Sequence, residues 1–233
     1  MNEFQFYEFQ TLDNLLSIEQ QTSLSYLSQT SQINDRQAVF TYSYGDLPRQ
    51  PEDLVARLFD AMLYLSTWGT KQLMFRFPAS AIDAKQIEPF LVPHRIDLIE
   101  DNAHYILVLN LGEDDSVEWI DGEGELSKVT ALRQDIINGD YRSLYLAWLK
   151  VIELREVSST AAEPYIPKGE SFLTSPLRHF INLFEIDSSL LAAAARPSEN
   201  TRTVKELRQI AEQEIVHARQ WYINNIATRS IYA

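Results

Sequence analysis

Residues 136–154 read IINGDYRSLYLAWLKVIEL, and the joint inside them sets the architecture of the second half of the chain. Gly139 is the residue type that ends a helix in the left-handed conformation. Asp140, directly behind it, is placed to accept the free N–H groups of the next helix. From Tyr141 the run is apolar on nearly every side, with Tyr141, Tyr145 and Trp148 rising at helical spacing. A helix of that composition has to be buried, against its own domain or against a partner. Because the joint is short, the helix before it (125–138) and the helix after it (141–157) are expected to run antiparallel.

Working outward, 158–170 (SSTAAEPYIPKGE) carries two prolines and a glycine and reads as a linker. Ser175-Pro176 opens a third helix to about Phe184, and Asp187 caps a short fourth one. The last helix, 203–225, gathers Val204, Leu207, Ala211, Ala218 and Trp221/Tyr222 near one face. After the break AAAARPSEN it is free to leave the body. Upstream of the joint, 113–124 (EDDSVEWIDGEG) is acidic and punctuated by glycine, the expected domain boundary.

The first 112 residues alternate strand and helix signals. The aromatic run 3–9 suits a strand, and Ser17-x-x-Gln20 matches a capping box at a helix start. Residues 38–44 (AVFTYSY) alternate as a half-buried strand. Pro51 opens a helix expected to reach Trp68, with Asp53, Arg57, Asp60 and Tyr64 as its narrow polar stripe. Strands follow at 71–77 and 90–99, and 104–111 (HYILVLNL) is apolar enough to be covered on both faces. The expected fold is therefore α+β. A mixed sheet with packed helices fills 1–112, an acidic connector spans 113–124, a helical region spans 125–195, and an extension helix lies in 196–233.

Composition removes several functions. The 233 residues contain no cysteine, which excludes thiolate catalysis, disulfides and Cys-ligated metals. The net charge is −13, against binding of a phosphate backbone. The acidity belongs to the body, whereas 196–233 holds six basic and four acidic side chains. No run approaches the roughly 18 apolar residues of a membrane span. The opening MNEFQFYEFQ has acids where a secretory signal has a basic stretch, so a cytoplasmic location is expected. Neither phosphate-cradling glycine motif nor a Gly-x-Ser-x-Gly elbow occurs, so no nucleotide or other cofactor is expected.

Two groups of residues remain as candidates. Glu118, Trp119 and Asp121 in the acidic connector join Tyr141, Tyr145 and Trp148 as a partner-binding set. The tryptophan is the anchor and the two acids steer a basic partner. The bland alternative makes Tyr145 and Trp148 core. A second candidate is a metal-dependent hydrolase using Asp114, Asp115 and Asp121 with His94 or His104, although the calcium-loop register fails around both Gly122 and Gly124. Arg76, a charge in an apolar strand, is expected either to snorkel at the sheet edge or to pair with Asp60 or Asp46 in a cleft.

The segments Tyr44-Gly45-Asp46, 58–73 (LFDAMLYLSTWGTKQL), 121–126 (DGEGEL), 139–149 (GDYRSLYLAWL) and 189–195 (SLLAAAA) resemble a family of uncharacterised bacterial proteins. The resemblance spans roughly residues 1–195. It implies a cytoplasmic bacterial protein and brings no activity and no catalytic residues. Together these readings point to a non-enzymatic acidic interaction protein that binds a protein partner or a second copy of itself.

Overall fold

The computed structural model describes residues 4–112, 122–165, 173–198 and 200–229, with side chains as far as Trp221. The fold is α+β. Seven strands, β1 (Gln5–Gln10), β2 (Ser31–Ile33), β3 (Gln37–Tyr42), β4 (Ala61–Ser66), β5 (Lys71–Pro78), β6 (Ile96–Asp101) and β7 (His104–Asn110), form one sheet in the order β2-β3-β1-β4-β5-β7-β6. Every neighbouring pair is antiparallel, so the expected mixed sheet is corrected to an antiparallel one. The reason lies in the connections. β3 and β4 both run against β1, so they are parallel to each other but separated by it. The helix between them crosses over an intervening strand, which supplies the antiparallel partner.

Side chains alternate across the sheet. One face carries Tyr7, Phe9, Phe40, Met62, Met74, Ile106 and Val108, covered by Leu24 of α1 (Ile18–Ser25) and by Leu54 and Val55 of α2 (Pro51–Arg57). The other carries Phe6, Leu63, Leu65, Leu73, Phe75, Leu107 and Leu109. Its cluster continues without a break into the later helices, as far as Val204, Leu207 and Ala211. The run 104–111 is thus buried from both sides, as its composition requires.

A larger correction concerns 51–68. The helix stops at Arg57, and Leu58–Asp60 turns the chain into β4. A run such as AMLYL has no polar face and reads equally as buried helix or buried strand. It becomes a strand because its alternate residues fill both cores, Met62 on one side and Leu63 on the other. The supposed polar stripe dissolves with it: Asp53 and Arg57 are exposed on α2, and Asp60 is buried at the head of β4. The strand expected over 90–99 starts only at Ile96. Residues 88–90 form a single 3-10 turn after the short α3 (Ala84–Ile87), and His94 turns the chain with a φ of 69°.

The helical half contains α4 (Glu125–Val129), α5 (Ala131–Ile137), α6 (Arg142–Glu153), α7 (Ser175–Leu183), α8 (Ser188–Ala195) and α9 (Val204–Arg229). The single helix expected over 125–138 is interrupted at Thr130, whose carbonyl takes the Arg133 N–H three residues on. Gly139 has the left-handed φ of 82°, and Asp140 Oδ1 accepts the Arg142 N–H at 3.1 Å. Asp187 caps α8 through the N–H groups of Ser189 and Leu190. Every residue of α6 from Ser143 to Ile152 is buried. Among the described residues, no helix is long and apolar enough to cross a membrane.

Candidate interaction site

The aromatic residues of the joint face inward. Tyr141, Tyr145 and Trp148 are 6%, 7% and 3% exposed. Tyr141 packs against Phe90 and donates from its hydroxyl to Gln86 Oε1 at 3.1 Å. Trp148 stacks on Tyr145 at a ring separation of 6.0 Å, and the Tyr145 hydroxyl donates to Glu163. Arg202 closes on the same carboxylate with Nε at 2.7 Å and Nη2 at 2.8 Å, while its other donors reach the carbonyls of Ala193, Ala194 and Arg196. Burial and the Glu163 carboxylate push the Tyr145 hydroxyl far above its ordinary pKa, so it stays a proton donor. Tyr141 therefore holds the start of α6 to α3 and the turn after it, Tyr145 with Trp148 stacked on it links α6 through Glu163 to the chain around α8 and α9, and all three offer little surface to a partner. Glu118, Trp119 and Asp121, the rest of that set, lie outside the described residues.

The carboxylates Asp114, Asp115 and Asp121 of the metal reading also lie outside the described residues. The two histidines sit at opposite ends of one hairpin. His104 pairs with Asp101 at the β6–β7 turn, whereas His94 precedes β6 at the far end of the ladder. Among the described residues, no group of three or more His, Asp or Glu side chains is gathered as a metal site would need.

Asp60, Arg76 and Arg133 form one satisfied structural network inside the body. Asp60 accepts from Arg76 Nη2 at 2.7 Å and from the backbone N–H groups of Leu12 and Asp13 at 2.7 and 2.9 Å. Arg76 also donates to the Ala56 carbonyl, and Arg133 of α5 reaches over to the Arg76 carbonyl and to Asp13. Burial would raise the Asp60 pKa, but these N–H groups and the guanidinium outweigh it and hold the carboxyl below the usual aspartate value. A cavity of about 130 Å³ opens beside Lys71, Lys150, Glu153 and Glu185. Both ammonium groups there already donate to carboxylates, Lys71 to Glu185 and Lys150 to Glu153, each at 2.8 Å. Neither arrangement presents a reactive group to a substrate.

The surface that differs from the rest is on α9. Its first two turns are docked: Val204 and Leu207 are fully buried, and Arg208 donates to the Ile152 carbonyl at 2.8 Å. Ala211 is the last buried position among the described side chains. From 212 to 221 every residue is exposed except Glu214, which the Arg196 guanidinium holds at 2.6 Å. Ile215, Val216 and Trp221 are 40%, 64% and 61% exposed. Of the six residues that the sequence groups on one face of this helix, the structure buries Val204, Leu207 and Ala211 and leaves Ala218 and Trp221 exposed. The side chain of Tyr222 is outside the described set.

The sequence reading overlooked a different stripe. Glu212, Ile215, Val216 and Arg219 stand at i, i+3, i+4 and i+7, and all four are exposed. The signal was legible as an apolar pair between an acid and a base at two-turn spacing. It was hidden because the stronger apolar stripe on the same helix starts at the buried Val204.

No family model, curated protein or solved structure matches this chain. The functional reading therefore rests on the residues alone.

Proposed function

We propose that this protein is a non-enzymatic, acidic cytoplasmic interaction protein whose C-terminal helix docks a partner protein or a second copy of the chain. The observation that carries the reading is the emergence of α9 from the body after Ala211. Helices in water draw most of their stability from packing one face, and an isolated stretch of this length is marginal without it. Here residues 212–221, which follow Ala211, are exposed apart from Glu214. Ile215, Val216 and Trp221 lie on the exposed stretch, where a folded partner would cover them. The net charge of −13 favours approach of a basic partner, and Glu118 and Asp121 would add to that field beside Trp119.

The test is a chain ended after Ala211. The reading expects it to keep the thermal midpoint of the full protein while losing association, measured by light scattering and by co-purification from the native lysate. A shortened chain with the same solution mass and the same companions as the full one would overturn it.

A further inference from the structure

We propose that α9 pairs antiparallel with α9 of a second copy through Glu212, Ile215, Val216 and Arg219. This rests on the interaction reading above and names the partner. The stripe is self-complementary. A two-fold axis passing between Ile215 and Val216 places Glu212 of one copy opposite Arg219 of the other, and Arg219 opposite Glu212. The Ile215 and Val216 side chains of both copies then meet at the centre. An isologous contact needs such a patch, in which each residue meets its complement when the surface is turned on itself.

Two features favour a second copy over an unrelated protein. Glu212 and Arg219 are two turns apart, roughly 10 Å along the axis, too far to pair within one helix. Among the described residues neither takes part in a salt bridge; the α9 carboxylate bridged to the body is Glu214, by Arg196. The stripe is also open to solvent, beside the docked face of α9. At 100° per residue, Val204, Leu207 and Ala211 centre on one side of α9, and the Glu212–Arg219 stripe lies roughly a quarter of a turn from them. A four-residue stripe is small, so the dimer is expected to be weak and concentration-dependent.

The experiment is sedimentation or light scattering of the full chain across a concentration series, with E212R, R219E and V216D. All three positions are exposed, so the fold is expected to survive, and circular dichroism checks it. Each charge reversal sets like charges opposite one another twice per dimer and should weaken association by at least about tenfold. V216D should abolish it. An equimolar mixture of E212R and R219E restores both attractive pairs and should recover the wild-type dimer, as should the double variant. A dimer indifferent to these changes overturns the pairing, as does failure of the mixture to recover it. A wild-type chain that is monomeric throughout but holds a different protein, released by V216D, overturns the pairing and leaves the interaction reading standing. A monomer with no such companion overturns both.

Discussion

The Asp60 carboxylate and the Arg76 guanidinium meet at 2.7 Å, 1% and 13% exposed, where β4 and β5 begin and end beside each other. The pair is tied into three other parts of the chain: the Leu12 and Asp13 N–H groups, the Ala56 carbonyl at the end of α2, and Arg133 of α5. Removing one partner strands the other charge in the interior, which typically costs about 3–5 kcal/mol. Asp60→Ala is therefore expected to lower unfolding stability by about that much in a urea titration. Changing Asp60 and Arg76 together to apolar residues should cost less than the two single changes combined.

The same carboxyl gives a pH signature. Its folded pKa lies below the ordinary 3.8, so its contribution is fully present above that value and is lost as pH falls through the folded pKa. Thermal midpoints measured downward from pH 5 should drop for the native chain and drop less for Asp60→Asn, which starts lower.

Glu8 has the opposite slope. It is fully buried on β1; Oε1 accepts from Gln10 and Gln37, and among the described residues Oε2 finds no hydrogen-bond partner. Burial raises its pKa above the ordinary 4.5 despite those two amides. An acid whose folded pKa is raised favours the folded state below the unfolded pKa, and that advantage disappears as pH rises through the folded pKa. Glu8→Gln should stabilise the protein at pH 7 by about 1 kcal/mol and flatten this part of the stability profile. A loss of stability at pH 7 would show that the ionised carboxylate is needed.

The Tyr145–Glu163–Arg202 cluster predicts a graded response. Tyr145→Phe removes one donor from a carboxylate that Arg202 still holds, at a cost of about 1 kcal/mol. Arg202→Ala leaves Glu163 without its cation and frees three carbonyls around α8, so about 3 kcal/mol is expected. Hydrogen exchange should localise the loosening to α8 and the start of α9.

Two glycines separate close approach from backbone conformation. A Cβ on Gly112 would stand 2.2 Å from the Gly69 carbonyl oxygen and 2.3 Å from the Lys71 nitrogen, so Gly112→Ala must push strands apart and should lower the yield of folded protein. A Cβ on Gly139 meets nothing within 4 Å, and only its positive φ opposes the change. Gly139→Ala should cost about 1 kcal/mol in a thermal melt.

Where local chemistry decides, the residues alone were enough. The Ser17–Gln20 capping box, the Gly139-Asp140 joint, the Asp187 cap and the doubly buried 104–111 strand all follow from side chains acting on backbone within a few residues, or from plain composition. Arg76 was legible only as a choice between snorkelling at the sheet edge and pairing with Asp60 or Asp46, and the structure pairs it with Asp60. Tertiary structure decided the rest. Whether 61–66 is helix or strand depends on having one core on each side of it, and no local signal encodes that. The direction of Tyr141, Tyr145 and Trp148, inward rather than outward, depends on α6 being enclosed all round. The last choice was where the burial of α9 gives way to exposure, between Ala211 and Glu212, and the pattern of the helix itself cannot say so, because solvent and a partner look alike from the sequence of one chain.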